Sequence, residues 1–418
     1  MIETVTWTEQ DLISLGEGLT ADNLAAIMRS TWTWDDRALR RDLALILTDL
    51  SAVASLKSGT DLHRLARART YISATHFLGA VLGPRVISDS GHRTGFTFAP
   101  TLLSLPGLIA QSDDRTALTS LGSEVYERLA GQDPAEEESA TFDGRTLVMH
   151  ALAASGNRGD ALEWSAKIES DDLQVTLAAA EVSGSWDPAL VRTRAELVNS
   201  QWFLDGEKFF VPFAESVDQL FVIARSTAGP SLFVVDTRSS GVSISETTTI
   251  DDSRALARVA LSQAPATLIG MEGAGGRIVA RTLDLAVVSL AREQLSGARR
   301  ALRLCPDNLA VVGLAKPEIL KLLGEMEVER GIAQASYNHA TEIVDGDPEK
   351  FSIAAAMAHI SCSRMFTSIT ARIAALMLSE EGSESEDALR IFARAEWSEL
   401  LFGGPALYYE RLLERIGV

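Results

Sequence analysis

Cysteine is scarce, with two residues, Cys305 and Cys362, in a chain of 418. Two thiols cannot make a disulfide framework or a four-thiolate zinc site. Both lie in apolar helical contexts, where cysteine behaves as a small buried hydrophobe. The six histidines, His63, His76, His92, His150, His339 and His359, show no HxxxH spacing and no CxxC partner, so no metal-ligand set is expected. No apolar run approaches the ~20 residues a membrane span needs. The opening MIETVTWTEQDL is acidic where a secretory leader would be basic and then apolar, so a soluble, cytoplasmic protein is expected. Basic residues are outnumbered, 38 against 57 acidic, for a net charge of −19 and a pI near 4.8. That balance argues against a nucleic-acid face and against an anionic membrane surface, and acts mainly on solubility. The GxxxxGK[ST] and GxSxG signatures are absent too, which removes P-loop hydrolases and α/β-hydrolases.

Apolar residues, by contrast, make up 46% of the chain, enough for a sizeable core in two or three packed units. Up to about residue 168 the pattern is helical. Thr20-Ala21-Asp22-Asn23 precedes apolar positions at Leu24, Ile27 and Met28. From Arg37 to Val53, Leu39, Leu43, Ile46, Leu47 and Leu50 share one helix face, and His63 to Leu82 continues in the same way until Gly83-Pro84. Gln132 to Ser139 is acidic and contains Pro134, so it reads as a solvated loop. From Gln174 to about Leu268 the period changes to β-branched and aromatic runs: Val191 to Val198, Trp202 to Leu204, Phe209 to Val211, Leu220 to Ala224, Leu232 to Val235 and Val242 to Ile244. Asp205-Gly206 between two such runs is a hairpin signal, and Gly229-Pro230 and Ser239-Ser240-Gly241 mark further turns. After Gly270 the helical period returns in five long amphipathic stretches: Arg277 to Leu304, Pro317 to Val344, Phe351 to Leu378, Asp387 to Phe402 and Pro405 to Ile416. Gly273-Ala274-Gly275-Gly276 lacks a third glycine at the dinucleotide offset and any βαβ context. It reads as a flexible exit from the β region into a helix.

Within this helix–β–helix order, several segments share the pattern of one known family. Leu177-Ala178-Ala179-Ala180-Glu181-Val182-Ser183-Gly184-Ser185-Trp186-Asp187 is similar to the family's Ala/Thr-rich run followed by Glu and GSD. Trp202-Phe203-Leu204-Asp205-Gly206-Glu207-Lys208 resembles its W-x-L-x-G-x-K segment, and Val217 to Arg225 its AD-x-x-x-V-x-A-R strand. Thr249 to Arg254, followed by Ala257-Arg258-Val259, looks like a strand pair of actinobacterial members, and Ala315 to Met326 resembles the family's fQ-x-x-K-x-x-L-A-D-M helix. In this collinear order, over about residues 145–418, the chain resembles the acyl-CoA dehydrogenase family. The resemblance implies an α+β chain with an N-terminal helical domain (1–170), a central antiparallel β-barrel domain (171–269) and a C-terminal four-helix bundle (270–418).

The resemblance also implies FAD, an acyl-CoA-type small molecule as ligand, and a homo- or hetero-oligomer with a catalytic homologue. In such enzymes a carboxylate removes the α-proton of an acyl-CoA while the flavin accepts hydride. Carried over by motif, the cofactor-binding positions are Ala180, Glu181, Gly184, Phe210, Val211 and Pro212, and the substrate-binding ones are Asp252 and Arg254. The departures are specific. Pro212 stands where a threonine is usual and offers neither N–H nor hydroxyl. Ala180 replaces another hydroxyl residue. Leu304 to Leu309 shortens the stretch that contacts a partner's FAD, and the glycine-rich pyrophosphate segment is acidic here, Ser379 to Glu384. The usual glutamate loop reads Leu401-Phe402-Gly403-Gly404, and the alternative glutamate position on the first bundle helix is matched by Ala286. Glu293, two helical turns further on, is the remaining candidate base, against the alternative of an ordinary helix glutamate. Three functions follow: a diverged subunit of a flavin-dependent acyl-CoA α,β-dehydrogenation complex in lipid or steroid catabolism, a self-sufficient flavoenzyme with a relocated base, and a flavin-free pseudoenzyme or acyl-CoA-binding protein.

Overall fold

The computed structural model describes residues 19–83, 99–130, 142–170, 173–249, 255–308, 316–377 and 383–417. Its helices begin where side chains can take the orphan N–H groups of a first turn. Thr20 Oγ1 accepts from Asn23 N at 3.2 Å and opens α1 (Ala21–Ser30). Asp36 Oδ1 accepts from Ala38 and Leu39 and opens α2 (Arg37–Ser55), and Thr60 caps α3 (Asp61–Leu82), which ends on Gly83 at φ 55°. There follow α4 (Ala99–Ser112), α5 (Arg115–Ala130), α6 (Gly144–Ala154) and α7 (Arg158–Glu169). After the β region come α8 (Gly275–Asn308), α9 (Lys316–Glu342), α10 (Pro348–Met377), α11 (Ser383–Leu400) and α12 (Gly404–Arg415). The helical, strand-rich and again helical order agrees with the reading of the sequence. The acidic Gln132–Ser139 stretch lies outside the described residues.

The chain divides into two compact units. Unit 1 comprises Met1–Glu138, Gln294–Ala395 and Pro405–Val418. Its helices are drawn together by small residues as well as by an apolar core around Leu65, Leu118 and Val328. A Cβ at Gly122 would lie 1.7 Å from Leu320 O, and one at Gly324 would lie 2.0 Å from Leu118 O. These two glycines therefore let α5 and α9 cross at a separation no alanine tolerates. Cys362 is fully buried in α10 and its Sγ donates to Ala333 O at 3.5 Å.

Unit 2 comprises Ser139–Glu293 and Glu396–Gly404. Among the described residues its strands are β1 (Val175–Ala178), β2 (Arg194–Val198), β3 (Gln201–Pro212), β4 (Gln219–Ser226), β5 (Gly229–Asp236), β6 (Val242–Thr247) and β7 (Leu256–Ile269). Five of them close on themselves: β2 pairs with β3, β3 with β7, β7 with β5, β5 with β4, and β4 returns to β2 at Arg194↔Arg225. Closure removes the free edges that an open sheet would expose. Leu204, Leu220, Val222, Phe233, Val235 and Val259 fill the interior.

Asp205-Gly206 is not a hairpin. The β2–β3 turn falls at Asn199-Ser200, whose φ values of 48° and 67° supply the left-handed pair a two-residue turn requires. Val198↔Gln201 closes that turn, and Asp205 pairs with Arg194 inside the continuous strand β3. Gly206 instead marks a register shift between β3 and β7. At φ 146° its missing Cβ leaves room for Thr193 Cα, which would otherwise sit 2.7 Å away. Gly275 likewise is a close-approach glycine more than a flexible one, since a Cβ there would meet Pro230 C at 2.5 Å.

Candidate functional site

The site is built where the segment leaving β1 passes the end of β3, both in unit 2. Phe209 N donates to Ala180 O at 3.0 Å, which ties the two together. Lys208, alternating inward along β3, is fully buried, and its Nζ donates to Ala179 O and to Glu181 Oε1, each at 3.0 Å. The Glu181 carboxylate also accepts from Arg192 N at 2.9 Å, from Thr193 N at 2.8 Å and from Thr193 Oγ1 at 2.8 Å. Burial pushes Lys208 down to about 8 against the pull of Glu181, so the ammonium is still charged at neutral pH. Burial alone would raise Glu181, but the Thr193 backbone N–H and Lys208 outweigh it and hold the carboxyl below its ordinary value. Both charges are thus consumed within the fold.

Around this anchor lies a cavity of about 400 Å3, lined among others by Phe142, Trp186, Phe210, Phe213, Trp397 and Phe402. Phe402 is 2% exposed. Its ring meets those of Phe142 at 5.4 Å and Trp186 at 5.2 Å, both edge-on, the arrangement aromatic quadrupoles prefer. The chain reverses here through Phe402, Gly403 and Gly404, with φ values of 60°, 107° and 72°. Phe210 and Phe213 also hold positive φ, 57° and 53°. Three phenylalanines in left-handed backbone therefore line one cavity. Each such residue costs on the order of 1–3 kcal/mol and persists only where the surroundings enforce it.

The structure brings four of the sequence-derived cofactor positions, Ala180, Gly184, Phe210 and Pro212, to this cavity. Glu181 turns away to Lys208, and Val211 is buried in the barrel interior. Asp252 and Arg254 lie outside the described residues. Glu293 is 5% exposed and does not line the cavity; its Oε2 accepts from Phe142 N at 2.6 Å and so fixes the backbone beneath the Phe142 ring. Sequence reasoning missed Phe142 and Trp397, which carry no local signal. Trp186 stands within the family-like segment Gly184-Ser185-Trp186-Asp187, and of the hydroxyl edge Thr247, Thr248 and Thr249 only Thr249 falls in such a segment.

A flavin ring presents a polar edge that needs N–H and O–H donors. At this cavity Ala180 offers no hydroxyl, Pro212 neither hydroxyl nor N–H, and the carboxylate and ammonium closest in sequence are paired with each other. The family-matched positions Ala180 and Pro212 therefore do not fit a flavin edge, and the side-chain hydroxyls on the cavity wall are those of Thr247, Thr248 and Thr249.

No protein-family model matches the chain, and a search of curated proteins gives no match either. Solved structures do match. Butyryl-CoA dehydrogenase from Megasphaera elsdenii aligns with a TM-score of 0.60 at 15% identity, covering 99% of this chain and 99% of its own. The Tcur3481-Tcur3483 steroid acyl-CoA dehydrogenase gives 0.56 at 20% identity over 96% and 98%. A glutaryl-CoA dehydrogenase from Mycobacterium smegmatis, in complex with FADH2, gives 0.56 at 16% identity over 98% and 95%. The fold is that of the acyl-CoA dehydrogenases. Among the described residues no helix is long and apolar enough to cross a membrane.

Proposed function

We infer that this chain is the diverged, non-catalytic subunit of a flavin-dependent acyl-CoA α,β-dehydrogenation complex in lipid or steroid catabolism. In that complex a catalytic homologue supplies the base and the main flavin contacts. The observation that carries this reading is Phe402. The residue that the family resemblance aligns with the proton-abstracting glutamate is a buried phenylalanine, packed on Phe142 and Trp186, and it has no group that accepts a proton. The steroid acyl-CoA dehydrogenase of the same fold, named for two components, supports a paired arrangement. Glu293 as a relocated base is the weaker reading, because its carboxylate is engaged with the Phe142 backbone. The second reading is a flavin-free protein that binds an apolar acyl group, which the aromatic walls of the cavity favour.

The visible absorption spectrum of the purified chain, alone and co-expressed with a catalytic homologue, separates these readings. The subunit reading expects no flavin band from the chain alone and a band from the complex. A band from the chain alone overturns it in favour of a self-sufficient flavoenzyme. The absence of a band in both preparations leaves the flavin-free binder.

A further inference from the structure

We propose that unit 1 carries a ligand site of its own: a cavity that takes a small amphipathic carboxylate, with the anion on Arg67 and the apolar tail among Leu47, Leu50 and Met357. His63, Arg67 and Tyr71 recur every four residues on α3, which stacks them along one helix face. All three line a cavity of about 700 Å3, within the range of roughly 300–1,000 Å3 typical of small-molecule pockets. Ser51 and Ser58 add hydroxyls to its wall, and among the described residues no aspartate or glutamate lines it. In a chain with 57 acidic residues against 38 basic ones, a wall that presents a cation and no carboxylate selects for an anion.

Arg67 is also the exception on its own helix. Arg64 pairs with Asp61 at 2.9 Å and with Asp114 at 3.0 Å, and Arg69 donates to Glu325 O at 3.2 Å. Among the described residues the half-buried Arg67 guanidinium has no hydrogen bond and no ion pair, and the side chains of His63 and Tyr71 have no hydrogen bond. A partly exposed guanidinium without a counter-ion is free to take one, and its planar fork matches a carboxylate. Burial, reinforced by Arg67, holds His63 below its ordinary value, so at neutral pH it offers one donor and one acceptor and no second charge. Burial keeps the Tyr71 phenol protonated and able to donate. One cation flanked by neutral donors suits a monoanion, and the apolar side chains suit an alkyl or ring tail.

The test is calorimetric titration of the full-length protein with sodium decanoate and, in parallel, decanol. Three proteins are compared: wild type, Arg67→Gln, and Ala54→Trp. Ala54 lines the cavity from an exposed helical position, so tryptophan there fills the space without entering the core. Decanoate is expected to bind the wild type at one site that Ala54→Trp abolishes, and Arg67→Gln is expected to weaken it by about tenfold to a hundredfold. Decanol is expected to bind more weakly than decanoate and to be indifferent to Arg67→Gln. Thermal unfolding of the unliganded variants checks that both remain folded. The proposal is overturned by a wild type that does not bind decanoate, by binding that survives both substitutions, or by decanol binding as tightly as decanoate.

Discussion

Two cavities of this protein treat polar groups in opposite ways. In unit 2, the buried Lys208 and Glu181 satisfy one another and the backbone around them, and the cavity beside them is walled mainly by aromatic rings, with Asp143 and the Thr247–Thr249 hydroxyls at its polar edge. In unit 1, the cation on the cavity wall stays open. Arg67 faces its cavity without a counter-ion, and in α10 the fully buried His359 leaves Nε2 without a partner while Nδ1 reaches Ser363 Oγ at 3.4 Å. Where charges are paired off within the fold, a mainly aromatic wall selects chiefly by shape. A fold that leaves charges open retains the capacity to bind a charged ligand, at some cost in stability.

The sharpest way to break this contrast is Lys208→Met, which strands a Glu181 carboxylate whose side chain is only 14% exposed. We expect a loss of about 3 kcal/mol in urea denaturation, with much of it recovered in the double variant Lys208→Met/Glu181→Gln. No recovery would mean that Lys208 acts by packing and not by charge.

A second, smaller effect tests unit 1. Burial pushes His359 down to about 3, so below pH 6.5 the unfolded chain binds a proton that the folded chain refuses, and stability falls with pH until about 3. Replacing His359 with Met is expected to remove about 1.4 kcal/mol per pH unit of that slope, or about 2 kcal/mol at pH 5. Stability–pH curves of the two proteins that stay parallel would show the ring to be solvated.

The strained aromatic wall gives a third outcome. Phe210 is 46% exposed at φ 57°, and asparagine tolerates that backbone better. Phe210→Asn is therefore expected to raise stability by about 0.5–1 kcal/mol while lowering the affinity of the unit 2 cavity for an apolar probe. A loss of stability would make Phe210 a packing residue.

The smallest expected change is in unliganded Arg67→Gln, within about 0.5 kcal/mol of wild type, because the side chain has no protein partner to lose. A larger loss by thermal denaturation would reveal a partner and close the contrast between the units.

The order of helix and strand, and much of the chemistry that is missing, can be read from the residues alone. Helix and strand follow from apolar period, from caps such as Thr20, Asp36 and Thr60, and from stops such as Gly83, all set by residues within a turn or two of one another. Substitutions such as Ala180, Pro212 and Phe402 are chemical identities, so the absence of a hydroxyl, an N–H or a carboxylate is legible before any folding. Only the tertiary structure decided what these residues do. Lys208 finds Glu181 from 27 positions away, and Arg67 shares a cavity with Met357 and Ile416. No local pattern encodes such encounters, because they depend on barrel closure and helix packing. The left-handed backbone at Phe210, Phe213 and Phe402 was equally invisible. Local preference opposes it in phenylalanine, and only packing that over-determines the chain can hold it there. Asp205-Gly206 makes the same point in reverse, since its strong local tendency to turn yielded to the pairing of Asp205 with Arg194, and the register of the barrel as a whole outweighed the preference of two residues.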